Sequence, residues 1–151
     1  MIHQVLFLCT GNYYRSRFAE LLFNHLAGEA GLNWRADSRG FAAYQEHEAG
    51  PVLPSAFEAL LAEGVRLDQP LRFPLQLQPE DLDRADLVVA LDEAEHRDYL
   101  VTDFPGWEKR VEYWHIQDLN FIPARLALPA LKSDVRALVQ RLLRDGHAKP
   151  R

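Results

Sequence analysis

The apolar residues of this chain fall into short continuous runs and longer stretches spaced by three and four. Val5-Leu6-Phe7-Leu8 is continuous and stops at Thr10-Gly11-Asn12, which predicts a strand buried on both faces that runs into a turn. From Arg15 onward, Phe18, Leu21, Leu22, Leu26 and Ala30 recur at helical spacing, so strand, loop and helix follow in direct succession. Trp34 to Ser38 predicts a second strand ahead of Arg39-Gly40. Ser55 to Glu63 predicts a helix bracketed by Pro51 and Pro54 at its start and by Gly64 at its end. Leu87 to Leu91 is the clearest strand, followed by a polar helical stretch from Asp92, a suitable N-cap, to about Val101. Arg110 to Ile116 supplies a fourth strand. The last helix runs from about Leu131 to Arg144, with Leu131, Val135, Leu138, Val139 and Leu142 on one face, Gly146 as a stop, and Arg141 and Arg144 at its negative end. Strands alternating with helices of this length predict an α/β fold, a parallel sheet covered on both faces with ligands gathering at the strands' carboxyl ends. No repeat, low-complexity segment or linker divides the chain, so residues 1–151 read as one domain.

Composition narrows the function. A net charge of −5 opposes a general grip on nucleic acid or anionic lipid, both of which need a cationic surface. The start, Met1-Ile2-His3-Gln4-Val5, lacks a basic region followed by a long apolar one, and no apolar run approaches membrane-spanning length, so a cytoplasmic location is expected. Cys9 is the only cysteine, which excludes an internal disulfide and a cysteine-rich zinc cage.

That lone thiol sits at a strand's carboxyl end, ahead of Arg15 where the helix begins. The first N–H groups of a helix lack intrahelical partners and carry partial positive charge, so they bind an anion or stabilise a thiolate, the form in which a cysteine attacks. The loop amides add a concave nest. Arg15 offers a planar fork for two phosphoryl oxygens, Gly11 allows close backbone approach, and Asn12 tolerates a left-handed conformation. Ser16 stands where its hydroxyl could donate to the sulfur. A lone cysteine is more commonly a small buried hydrophobe, but that leaves Gly11, Asn12, Arg15 and Ser16 at these offsets unexplained.

On these residues the chain resembles the low-molecular-weight protein tyrosine phosphatase family, whose signature is Cys-x-Gly-Asn-x-Cys-Arg-Ser-Pro. Cys9, Gly11, Asn12, Arg15 and Ser16 carry the resemblance, with Asn33-Trp34, Asp37-Ser38, Leu91-Asp92-Glu93 and Arg97-Asp98 extending it. It implies a flavodoxin-like three-layer sandwich, four parallel strands in the order 2-1-3-4, no metal or organic cofactor, and a phosphocysteine intermediate. The phosphate-binding residues it implies are Thr10, Gly11, Asn12, Tyr13, Tyr14, Arg15 and Ser16. The nucleophile is Cys9, the clamp Arg15, and the general acid then base Asp118, in Ile116-Gln117-Asp118-Leu119. Read from the residues alone, Asp118 is first a helix N-cap or turn residue and only second an acid, and His115 and His47 are weaker proton-donor candidates. The implied partner is a phosphotyrosine protein or a small aryl phosphate, with a monomer favoured.

The chain departs from the signature at Tyr14 (cysteine in the family), Arg17 (proline), Leu119 (proline) and the Arg39-Gly40-Phe41 stretch (Ala-Gly-Thr). Without a second loop cysteine, oxidation of Cys9 runs toward sulfenic and higher acids instead of a protective disulfide. Phe121 is the nearest aromatic to the place where the family stacks a tyrosine on the substrate. Tyr13 occupies a position that is threonine in relatives acting on phosphoarginine; its bulk argues for an aryl leaving group or a narrowed pocket, and a packed tyrosine without substrate contact fits it equally. Arg17, Arg39 and Tyr44 read first as solvated surface and second as a cationic pocket rim; Trp107 and Trp114 read as core. Two rivals remain: a catalytically weak phosphate- or phosphotyrosine-binding module, and an arsenate reductase, which would need two further cysteines.

Overall fold

The computed structural model describes residues 1–46 and 50–146; His47 lies outside them. β1 (His3–Cys9) leads through the cysteine loop into α1 (Arg15–Ala30), and β2 (Trp34–Gly40) returns beside β1. α2 (Pro54–Ala62) and α3 (Pro79–Arg84) precede β3 (Leu87–Ala90), which α4 (Glu93–Asp103), β4 (Glu112–Tyr113) and α5 (Ala124–Arg144) follow. The four strands are parallel in the order β2-β1-β3-β4. This is the flavodoxin-like arrangement expected.

Alternation along the central strand sorts the core. Val5, Phe7 and Cys9 face a cluster with Phe18, Phe23, Leu131 and Leu138 of α1 and α5, while Leu6 and Leu8 face Leu82 of α3 and Leu100 of α4. β1 is continuously apolar because both of its faces are covered. Trp114 packs in the first cluster with its ring 5.7 Å from Phe7, and Trp107 packs against the second.

Three elements differ from the sequence reading. The fourth strand keeps only Glu112–Tyr113 as regular ladder, although Trp114 and Ile116 still donate to the Ala90 and Leu91 carbonyls. α5 begins at Ala124, with Pro129 inside it; there the proline forgoes the bond to the Arg125 carbonyl and crowds that oxygen, while Ala127 and Leu128 before it are buried. α3 is too short for periodicity to show; the Gln78 N–H donating to the Asp81 carboxylate at 2.8 Å defines its start. Among the described residues no helix is long and apolar enough to cross a membrane.

Candidate active site

The loop from Cys9 to Ser16 joins the carboxyl end of β1 to the amino end of α1. α1 has no side-chain cap and no acidic residue in its first turn, so its leading N–H groups remain available to an anion. The loop's own carbonyls are drawn outward: those of Cys9, Thr10 and Tyr13 accept from the N–H groups of Phe41, Ala42 and Leu53 at 3.0, 2.8 and 2.9 Å. Gly40 lies so close beneath that a Cβ there would meet the Thr10 carbonyl oxygen at 2.7 Å.

Asn12 is fully buried with φ at +53°, the left-handed conformation its residue type tolerates. Its Oδ1 accepts from Leu75 N at 3.0 Å and Arg72 Nη1 at 3.1 Å, two groups that only donate, and this fixes the amide orientation. Nδ2 then donates to Ser16 Oγ at 2.8 Å and Ser38 Oγ at 2.9 Å. Ser38 in turn donates to Glu20 Oε1 at 2.5 Å. Ser16 Oγ, which accepts from Asn12, lies 2.9 Å from Cys9 Sγ, and with the sulfur as thiolate the hydroxyl is the donor of that bond. A directed chain of hydrogen bonds therefore ends on the sulfur. The Glu20 carboxylate is held by Arg17 Nη1 at 2.8 Å and Arg72 Nη2 at 3.2 Å. Arg17, only 1% exposed, is neither rim nor solvated surface: it is buried beneath the loop as the counter-charge of Glu20. Arg39 is tied to Asp37 and Asp81 at 2.9 and 3.2 Å, whereas Tyr44 is exposed.

Arg15 is buried at the loop's end, with Nη1 donating to the Ile116 carbonyl at 2.8 Å and Nη2 to Glu95 Oε2 at 2.6 Å. Burial works against its charge, but Cys9, Glu95 and Asp118 outweigh that and push it above its ordinary value. Glu95 also accepts from the Thr10 hydroxyl and lies 2.9 Å from His96 Nε2. The Asp92 N–H donates to His96 Nδ1 at 3.0 Å, so the ring proton sits on Nε2 and points at Glu95. Burial pushes His96 down and keeps it neutral. For Glu95 burial pulls the other way, yet the bonds from His96, Arg15 and Thr10 prevail and hold the carboxyl well below the usual range. Asp92 occupies the N-cap position of α4, but its side chain makes no cap bond; its backbone serves His96 instead.

Asp118 follows β4 on the opposite rim, half-buried, with Oδ2 3.7 Å from Arg15 Nη2 and Oδ1 accepting from Leu119 N at 2.9 Å. Cys9, Gly11 and Arg15 share a cavity of about 260 Å³ with Tyr13, Tyr14 and Asp118. Leu53, Leu119 and Asn120 also line it; Phe121 is 68% exposed and is not among its lining residues. His115 is exposed and does not line the cavity; its backbone pairs with that of Asp92 in an isolated antiparallel bridge.

A family model described as low molecular weight phosphotyrosine protein phosphatase matches residues 4–118. The chain belongs to this family. It is 38% identical over 90 residues to the low molecular weight protein-tyrosine-phosphatase YfkJ of Bacillus subtilis, a match covering 58% of this chain and 55% of that one. To the protein-arginine-phosphatase of the same organism it is 33% identical over 107 residues, covering 71% and 67% of the two chains. In three dimensions it is similar to the YwlE arginine phosphatase, in a cysteine-to-serine mutant bearing a phosphorylated active-site serine, with a TM-score of 0.76 at 25% identity over 94% of this chain and 97% of the other. The matched stretch thus spans little more than half of the first of these relatives. Within the low-molecular-weight phosphatase frame, Glu20, Ser38, Arg72 and Glu95 are the side chains that sequence reasoning missed as parts of this site.

Proposed function

We propose that the protein is a phosphomonoesterase that hydrolyses aryl phosphates, tyrosine phosphate in proteins foremost, through a phosphocysteine intermediate. The Cys9 thiolate attacks phosphorus while the ester oxygen leaves with a proton from Asp118. Arg15 and the loop amides stabilise the equatorial oxygens of the transition state. Asp118, now a carboxylate, takes a proton from water, which attacks phosphorus and expels the Cys9 thiolate as inorganic phosphate forms. The Ser16 hydroxyl stabilises that thiolate both before attack and as leaving group. The observation that carries the reading is the convergence of Cys9, Arg15 and Asp118 on one cavity, with Ser16 2.9 Å from the sulfur.

Supporting an aryl substrate are the Tyr13 and Tyr14 side chains on the cavity wall. A flat phenyl group stacks on such walls. The test is kcat/KM for a phosphotyrosine peptide against a phosphoarginine peptide, in the parent and in Tyr13→Thr. The parent is expected to prefer phosphotyrosine by about tenfold or more, and Tyr13→Thr to narrow the ratio. A parent that prefers phosphoarginine contradicts the substrate assignment.

A second reading, a module that binds phosphate without turnover, is favoured by one observation: both terminal nitrogens of Arg15 already have partners in Ile116 and Glu95. It expects phosphate to bind and no product to be released. The arsenate reductase reading fails for want of a second cysteine to take part in a disulfide relay.

A further inference from the structure

Tyr14 stands immediately before α1, 5% exposed and packed in the same cluster as Phe18. It also lines the cavity that holds Cys9, Arg15 and Asp118. Its hydroxyl oxygen is buried and has no hydrogen-bond partner among the described residues. The other polar side chains of the loop are all engaged: Thr10 with Glu95, Asn12 with both serines, Ser16 with Cys9. A buried hydroxyl without a partner costs stability, and the side chain that carries it lines the cavity, so an acceptor arriving there from outside would relieve that cost. Burial pushes the phenol above its ordinary range against the opposing charge of Arg15, with Asp118 adding to the rise, so the group stays an O–H donor at neutral pH.

We propose that Tyr14 is a further substrate-contacting residue, whose hydroxyl donates a hydrogen bond to the phosphoryl group held over Cys9, on the side that faces Asp118. The inference rests on the reading of the Cys9 loop as a phosphate site. A phosphoryl group supplies acceptors in several directions and carries negative charge, which makes it the strongest partner available to a phenol in this cavity. The loop amides and Arg15 can only donate, so none of them accepts the phenol's O–H.

Tyr14→Phe keeps the ring and removes only the O–H. Two readings are taken on the variant and its parent: the thermal midpoint without ligand, and the affinity for inorganic phosphate by calorimetry. Removing an unpartnered hydroxyl raises the midpoint by about 3 °C. Removing a donor to the bound anion weakens phosphate by about tenfold. Both changes together establish the contact. An unchanged phosphate affinity overturns it, whatever the midpoint does. In the parent, the ¹³Cζ resonance of Tyr14 shifts when phosphate is added, a reading that does not depend on the variant folding; a resonance indifferent to bound phosphate overturns the proposal as well. A parent that binds no phosphate overturns the site reading and this inference with it, whereas a parent that binds and a variant that binds equally well overturns the inference alone.

Discussion

The two sides of the Cys9 cavity are built differently. On the phosphate side, Asn12, Ser16, Ser38 and Arg15 are buried; Asn12, Ser38 and Arg15 are fixed by partners far away in the chain, and Ser16 is held by Asn12. On the leaving-group side, Asp118 is half-buried, Leu119 and Phe121 are exposed, and the Asp118 side chain accepts from its own neighbour's N–H and approaches Arg15 to 3.7 Å. The contrast separates two tasks. Holding a tetrahedral anion demands donors fixed to a fraction of an ångström, which a buried network supplies without reorganisation. Choosing among leaving groups needs only a few side chains at the rim, and those can vary without disturbing the loop beneath.

The sharpest break in this contrast is Asp118→Asn. It should lower kcat for an aryl phosphate by about two to four orders of magnitude, with the loss shrinking as the phenol becomes more acidic, and leave the denaturation midpoint nearly unchanged. A loss independent of leaving-group acidity would contradict the acid role. Glu20→Gln reverses the pattern, striking stability first. It leaves Arg17 buried beside a neutral amide and loosens the bond that orients Ser38, so denaturant titration should show a loss of about 3 kcal/mol. A loss under about 1 kcal/mol would mean that the amide oxygen and solvent serve Arg17 nearly as well as the carboxylate does. The smallest effect lies in the pH dependence of stability. The folded protein holds the Glu95 carboxyl below its unfolded value of about 4.3, so its contribution is complete above that value and fades as pH falls through the lower folded one. Thermal midpoints at pH 6 and pH 3.5 should therefore fall further in the parent than in Glu95→Gln; equal falls would show that the bonds from His96, Arg15 and Thr10 to the charged carboxylate contribute nothing.

The phosphate side was readable in sequence where its residues are contiguous: Cys9 to Ser16 joins an apolar run to an amphipathic stripe, and local chemistry explains each position. The supports of that loop were not. Glu20 and Arg17 look like ordinary polar positions on a helix, and only the fold reveals that their face of α1 is covered by Arg72, 55 residues on from Arg17. Glu95 lies 80 residues from Arg15 on a helix whose polar residues resemble a solvated face. Asp118 was identified through the resemblance, since an aspartate before an irregular loop reads first as a cap or turn residue. The sheet order followed from the same resemblance, while the head of α5 was hidden by Pro129, which reads as a helix breaker until the burial of Ala127 and Leu128 is known.

The central claim is that Cys9 carries the phosphoryl group covalently. Rapid mixing of the protein with an aryl phosphate near pH 6 tests it most directly. The account predicts a burst of phenol close to one per protein molecule, followed by slower turnover, and no burst in Cys9→Ser. Phosphate binding with neither burst nor turnover in the parent would contradict it and leave a binding module in its place.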